Sequence, residues 1–144
     1  MSDPFAGGKT RGGADLAWWN PAKPGYRLVA IVDGVFSGKK VEFAKLYDGV
    51  IFRTADHKPL QAVDVIAMST MSAKVRARDA GAIAIVTAIG TKEGKKPGLS
   101  FVEFETRIYE KGGEEYHRAL ALLDRARIRL AEETASAPLD TDDD

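Results

Sequence analysis

The 144-residue chain contains no cysteine. That excludes a disulfide framework and any thiolate metal site, and it fits a reducing compartment. No apolar run approaches the roughly 18 residues that would mark a membrane span. The opening stretch, MSDPFAGGKTRGG, lacks the apolar core of an export signal, so a cytoplasmic protein with no membrane partner is expected. Histidine is scarce. His57 and His117 have no second ligand at metal spacing, and no metal or cofactor is expected. Ser37, Ser69, Ser72 and Ser100 stand in no nucleophile-elbow context. Gly7-Gly8-Lys9-Thr10 approaches a phosphate loop, but the first glycine of that motif falls on Asp3. The remaining carboxylates are scattered, so the expectation is a protein that is not an enzyme.

Net charge is also absent, at +0, but the zero hides an asymmetry. Residues 1–112 carry 17 basic and 12 acidic side chains, whereas residues 113–144 carry four and nine. A basic body with an acidic end suits an anionic polymer as partner. Four segments follow. Residues 1–24, rich in glycine and proline, read as a flexible basic arm. Residues 25–112 form the body, residues 113–134 a helix, and residues 135–144 (ASAPLDTDDD) a disordered acidic tail.

The body is organised around Gly81–Thr106, two strands joined by a lysine-bearing loop. Ile83, Ile85 and Ile89 fall on one face with Thr87, and Ala82, Ala84, Val86 and Ala88 on the other. This alternation predicts a barrel strand whose bulky face fills the interior and whose small face lets a ligand approach the backbone. Ahead of it lie strands at Tyr26–Phe36, with a bulge or turn at Asp33-Gly34, at Tyr47–Arg53, with Val41, Phe43 and Leu46 extending it, and at Gln61–Met68. Tyr26–Phe36 is apolar nearly throughout, as a strand covered on both faces would be. A short helix over Ser69–Arg78, capped by Ser69 or Thr70, precedes Gly81. The fold class expected is mainly β: a five-stranded OB-like Greek-key barrel with a short helix between strands 3 and 4, plus a C-terminal helix. That last helix carries Tyr116, Leu120, Leu123, Ile128 and Leu130. It either packs on the barrel or makes a homo-oligomer.

The candidate site is a nucleic-acid site. Lys39, Lys40 and Lys45 flank the loop after the first strand, and Lys92, Lys95 and Lys96 lie in the loop between the last two. In an OB-fold these two loops frame the ligand groove. Bases of a single strand stack on aromatic faces. Phe52 and Phe101 are the chosen stacking rings, with Trp18, Trp19, Phe43 and Phe104 as further candidates. Phe101 and Phe104 have opposite parity, so one points in and one out. Trp18 and Trp19 either plug the barrel end or meet a partner. The acidic tail can compete for the groove and offer a docking site to a replication or recombination protein.

Val63–Ser69, Thr70–Arg78, Ala82–Ile89, the lysine loop Gly90–Gly98 and the aromatic closing strand Leu99–Glu105 carry a resemblance. The stretch from about Gly25 to Thr106 resembles a family of small actinobacteriophage proteins related to OB-fold single-stranded-DNA-binding proteins. It departs from that family in having Phe101 and Phe104 where a tryptophan is expected, and in adding the Glu114–Thr134 helix. The resemblance implies a single-stranded-DNA-binding protein acting in phage DNA replication or recombination, in the host cytoplasm. The alternative is a phage structural or protein-interaction module, a virion component or host-protein antagonist, whose small barrel binds protein.

Overall fold

A computed structural model describes residues 17–94, 98 and 100–142 of the chain, with side chains described as far as residue 134. The protein is mainly β. Its strands are β1 (Ala17–Trp18), β2 (Tyr26–Ser37), β3 (Glu42–Arg53), β4 (Lys58–Ser69), β5 (Ile83–Glu93) and β6 (Ser100–Tyr109). Helix α1 (Thr70–Ala73) and a 3-10 turn (Ala77–Asp79) join β4 to β5, and α2 (Glu114–Asp142) follows β6. All six strands belong to one sheet in the order β1-β4-β3-β2-β5-β6. Every ladder is antiparallel except β1 on β4.

The expected five-stranded barrel is therefore replaced by six strands in an open, mixed sheet. The reason lies in the segment read as a loose arm. Ala17 and Trp18 occupy the free edge of β4, where a closing strand would pair, and the Trp19 amide donates to the Ala67 carbonyl at 2.9 Å. The two sheet edges still meet, but through side chains. The Trp19 ring lies 5.7 Å from that of Phe104. Lys74 Nζ donates to the Phe104 carbonyl at 2.8 Å, and the Thr106 hydroxyl to the Ala73 carbonyl at 2.6 Å. Residues from α1 and its flank thus cover the edge of β6 that would otherwise offer a template for pairing.

The curl of the sheet encloses a first core of Leu28, Ala30, Val32, Ala44, Leu46, Ile66, Met68, Ala84, Val86 and Ala88, plugged by Trp19. A second core, with Val29, Val50, Phe52 and Ile83 on the sheet side, lies on the outer face under Tyr116, Leu123, Ala126 and Leu130 of α2. This reverses the expected facing of β5. Its small residues line the tight interior, and Ile83 and Ile85 point outward beneath the helix. Strand β2 is covered on both faces, as its apolar run predicts. The helix packs on the sheet through a stripe near seven-residue spacing; Ile128 falls off that stripe and is exposed.

One bulge makes this two-sided packing possible. Asp48 and Gly49 together oppose Ala30, between the Val29–Val50 and Ile31–Tyr47 pairs. Asp48 adopts a left-handed φ of 51°. A Cβ on Gly49 would lie 2.8 Å from the Ala30 Cβ and 2.9 Å from the Val29 carbonyl oxygen, so only glycine fits. Ala44 and Leu46 precede the bulge and face the interior; Val50 and Phe52 follow it and face α2. Arg127 of α2 fastens to the same spot. Its Nη1 donates to the carbonyls of Gly49 (3.0 Å) and Val63 (2.9 Å), and its Nη2 to Asp64 at 3.0 Å.

The helix over Ser69–Arg78 is shorter than expected. Ser69 caps it as predicted, its hydroxyl accepting from the Met71 amide at 3.2 Å. Lys74 then turns left-handed at φ 57° and ends the helix. Conversely, α2 continues past the expected stop at Thr134 to Asp142. Propagation adds one bond per residue once a helix exists, and α2 runs on through Pro138 despite the lost donor and the crowding that a proline ring brings to the preceding turn of a helix.

Candidate nucleic-acid interface

The outer face beyond α2 carries a row of aromatic side chains. The β-ladder registers place Trp18, Ala67, Lys45 and Gly34 side by side across four strands. The next row is Ser69, Phe43 and Phe36. The small Ala67 and Gly34 leave room for the rings beside them. Phe36 folds back over Gly34, within 3.5 Å of where a Cβ would stand. Phe43 is the hub: its ring centroid is 5.4 Å from Trp18, tilted, and 5.9 Å from Phe36, stacked. Trp18 is 50 % and Phe36 43 % exposed. Tyr47 and Val65, paired across β3 and β4, continue this face toward α2.

Cations stand at the end of this stripe. Lys45 Nζ lies 5.7 Å above the Phe36 ring and 3.8 Å from Asp33. Lys39 and Lys40 are exposed in the turn between β2 and β3. That turn is tight: the Gly38 amide donates to the Val41 carbonyl at 2.8 Å, and a Cβ on Gly38 would strike that oxygen. The turn lies beside the edge of the Phe43 ring, which passes 3.6 Å from where a Cβ on Gly38 would stand.

The expected site residues divide into groups. Lys39, Lys40 and Lys45 join the aromatic stripe. Lys92 and Phe101 are cross-strand partners in the β5–β6 ladder, and Phe101 is 52 % exposed. Phe104 points inward, as the parity of the pair required. Because β2 and β5 are antiparallel, the turns that follow them lie at opposite ends of their ladder. Helix α2 crosses the outer face over Val50 and Ile83. Lys95 and Lys96 lie outside the described residues. Phe52 is corrected: at 7 % exposure it belongs to the second core, because the Asp48–Gly49 bulge turns it under α2. Of the two tryptophans, Trp19 plugs the interior and Trp18 stays on the surface.

Phe36 was missed as a candidate because it ends a strand that reads as core throughout. The available signal was the Asp33-Gly34 bulge. The register does shift between Val32 and Gly34, which sends Val35 inward and Phe36 outward.

Comparison with protein-family models, curated proteins and solved structures gives no match. Among the described residues, no helix is long and apolar enough to cross a membrane.

Proposed function

We propose that this is a single-stranded-DNA-binding protein that lays its ligand across Trp18, Phe43 and Phe36, with Lys39, Lys40 and Lys45 on the phosphates. The observation that carries the reading is the exposed aromatic row ending at a lysine turn. Aromatic platforms beside a cationic track are what sequence-tolerant single-strand binding requires. The element order is consistent with it: counting long strands only, β3 and β4 come where an OB-fold has its second and third strands, and the turn at residues 38–41 where it has its first loop. Oligonucleotides bind that face in OB-folds. On the family resemblance drawn above, the activity serves phage DNA replication or recombination in the host cytoplasm, without cofactor or catalysis.

The two tryptophans provide the test. Trp19 is buried at 8 % exposure and Trp18 lies on the stripe. Titration with oligo-dT is expected to quench Trp18 fluorescence, and Trp18→Phe should abolish the quench while leaving the fold intact. No affinity for oligo-dT even at low salt would sink the reading and leave the stripe as a protein-docking face, in line with the virion-component or host-antagonist alternative.

A further inference from the structure

A second feature lies on the outer face, on the other side of α2 from the stripe. A cleft of about 460 Å³ separates the first turns of α2 from β2, β5 and β6. That volume is in the range of small-molecule sites. Its sheet wall is built from two cross-strand rows, Val29–Ile85–Arg107 and Arg27–Thr87–Glu105, with Phe52 beside Arg27. Its helix wall is Ala119 and Leu122, with Glu115 and Arg118 at the rim. Val29, Phe52 and Ile85 on the sheet and Ala119 and Leu122 on the helix give the cleft apolar surface that a flat ring could cover.

The polar groups identify the rest of the ligand. Thr87 is buried, at 9 % exposure, and lies in the cleft wall. Its oxygen accepts from Arg27 Nε at 3.0 Å, and among the described residues its own hydroxyl proton has no acceptor. The contact fixes the Arg27 guanidinium while leaving both terminal nitrogens unused. Arg107 makes no ion pair or hydrogen bond among the described residues. Arg118 is already tied to Glu114 at 2.9 Å. Two unspent guanidiniums and a buried hydroxyl donor call for an anion held by forked hydrogen bonds. Glu105 and Glu115 also line the cleft and can accept hydrogen bonds from ring or sugar N–H and O–H groups. We propose that this cleft binds a small flat organic anion bearing hydrogen-bond donors, the chemistry of a nucleoside monophosphate. The proposal does not rest on single-strand binding at the stripe.

The test is an NMR titration of the ¹⁵N-labelled full chain with dTMP, with thymidine and inorganic phosphate as separate arms. Saturable shifts are expected at the Arg27 side-chain Nε–H and the Thr87 and Ala119 amides, with each half-ligand binding at least about tenfold more weakly than dTMP. Arg107→Gln, at an exposed position, should weaken dTMP about tenfold, as the loss of a charge-assisted hydrogen bond predicts. Leu122→Trp should fill the cleft from the helix side and abolish the shifts. Shifts confined to Trp18, Phe36 and Phe43 would overturn the proposal, as would failure to saturate, equal binding of phosphate alone, or an unchanged affinity in Arg107→Gln. Oligo-dT binding at the stripe should survive Arg107→Gln, so the two sites fail or stand separately.

Discussion

Phe36 and Phe52 show how one residue type serves two ends. Phe52 is sealed under α2 in the second core. Phe52→Ala should cost about 3–5 kcal/mol of stability through lost transfer energy and a cavity. Phe36→Ala should leave the urea midpoint nearly unchanged and weaken oligo-dT by about 1–3 kcal/mol, the worth of one stacked base. If the two variants lose stability equally, the stripe is not a free surface. A third residue, Asp56, reports on pH. Arg53 donates to it twice, Nε to Oδ1 at 3.0 Å and Nη2 to Oδ2 at 2.7 Å. These hydrogen bonds, aided by the Lys58 amide, hold the carboxyl below the ordinary range, at about 2. The folded chain therefore holds this proton more weakly than the unfolded chain. The resulting stability is present above the unfolded value of about 3.9 and fades as pH falls through about 2. Both groups are exposed, so the effect is small. Asp56→Asn should lower the melting temperature slightly near pH 6, with the gap shrinking as pH falls through about 2. A gap that persists in acid would assign the effect to the turn geometry instead of the charge.

At the scale of elements, the outer helix depends on one side chain. Arg127 satisfies two carbonyls at the bulge and pairs with Asp64. Arg127→Ala leaves those carbonyls without this donor, at a cost of about 2 kcal/mol by chemical denaturation. Arg127→Lys should recover only part, because an ammonium cannot reproduce the planar fork. Full recovery by lysine would reduce the contact to simple charge. The five long strands and the Ser69 cap were legible in the sequence because period-two alternation and capping chemistry are local; β1, two residues in a stretch read as a loose arm, was not. The facing of β5 was not. Its alternation is the same whichever side turns inward, and the choice was made by α2, some thirty residues on, covering the bulky side. The fate of Phe52 was hidden for a similar reason: the bulge at Asp48–Gly49 flips parity, and its glycine requirement comes from Ala30 on another strand. The Trp18–Phe43–Phe36 row draws on three strands, so pairing register, which no single segment encodes, had to be known first.

At the scale of the whole molecule, α2 divides the basic body. Lys39, Lys40 and Lys45 stand with the aromatic stripe, while Lys92 stands with Phe101 at the far end of the β2–β5 ladder. The sequence assigns all of these lysines to one groove; the fold sets a helix across the outer face that a groove joining them would cross. A short strand bound at the stripe should therefore feel the first group and not the second. Each phosphate neutralised on a single strand contributes about 0.7 to the slope of log affinity against log salt. Replacing Lys39, Lys40 and Lys45 together by alanine should reduce that slope by about 2 if all three reach phosphates. Lys92→Ala should leave it unchanged for an oligo-dT of about eight nucleotides, which lies within the site sizes of small barrels. Anisotropy titrations across a range of salt concentrations measure both slopes directly. A loss of slope in Lys92→Ala equal to that of any one stripe lysine would mean that the strand passes α2 and engages both ends of the sheet. An unchanged slope in the triple variant would remove the turn from the site altogether, even with the rings in place, because the long-range field of this near-neutral chain offers no substitute for phosphate contacts at the stripe.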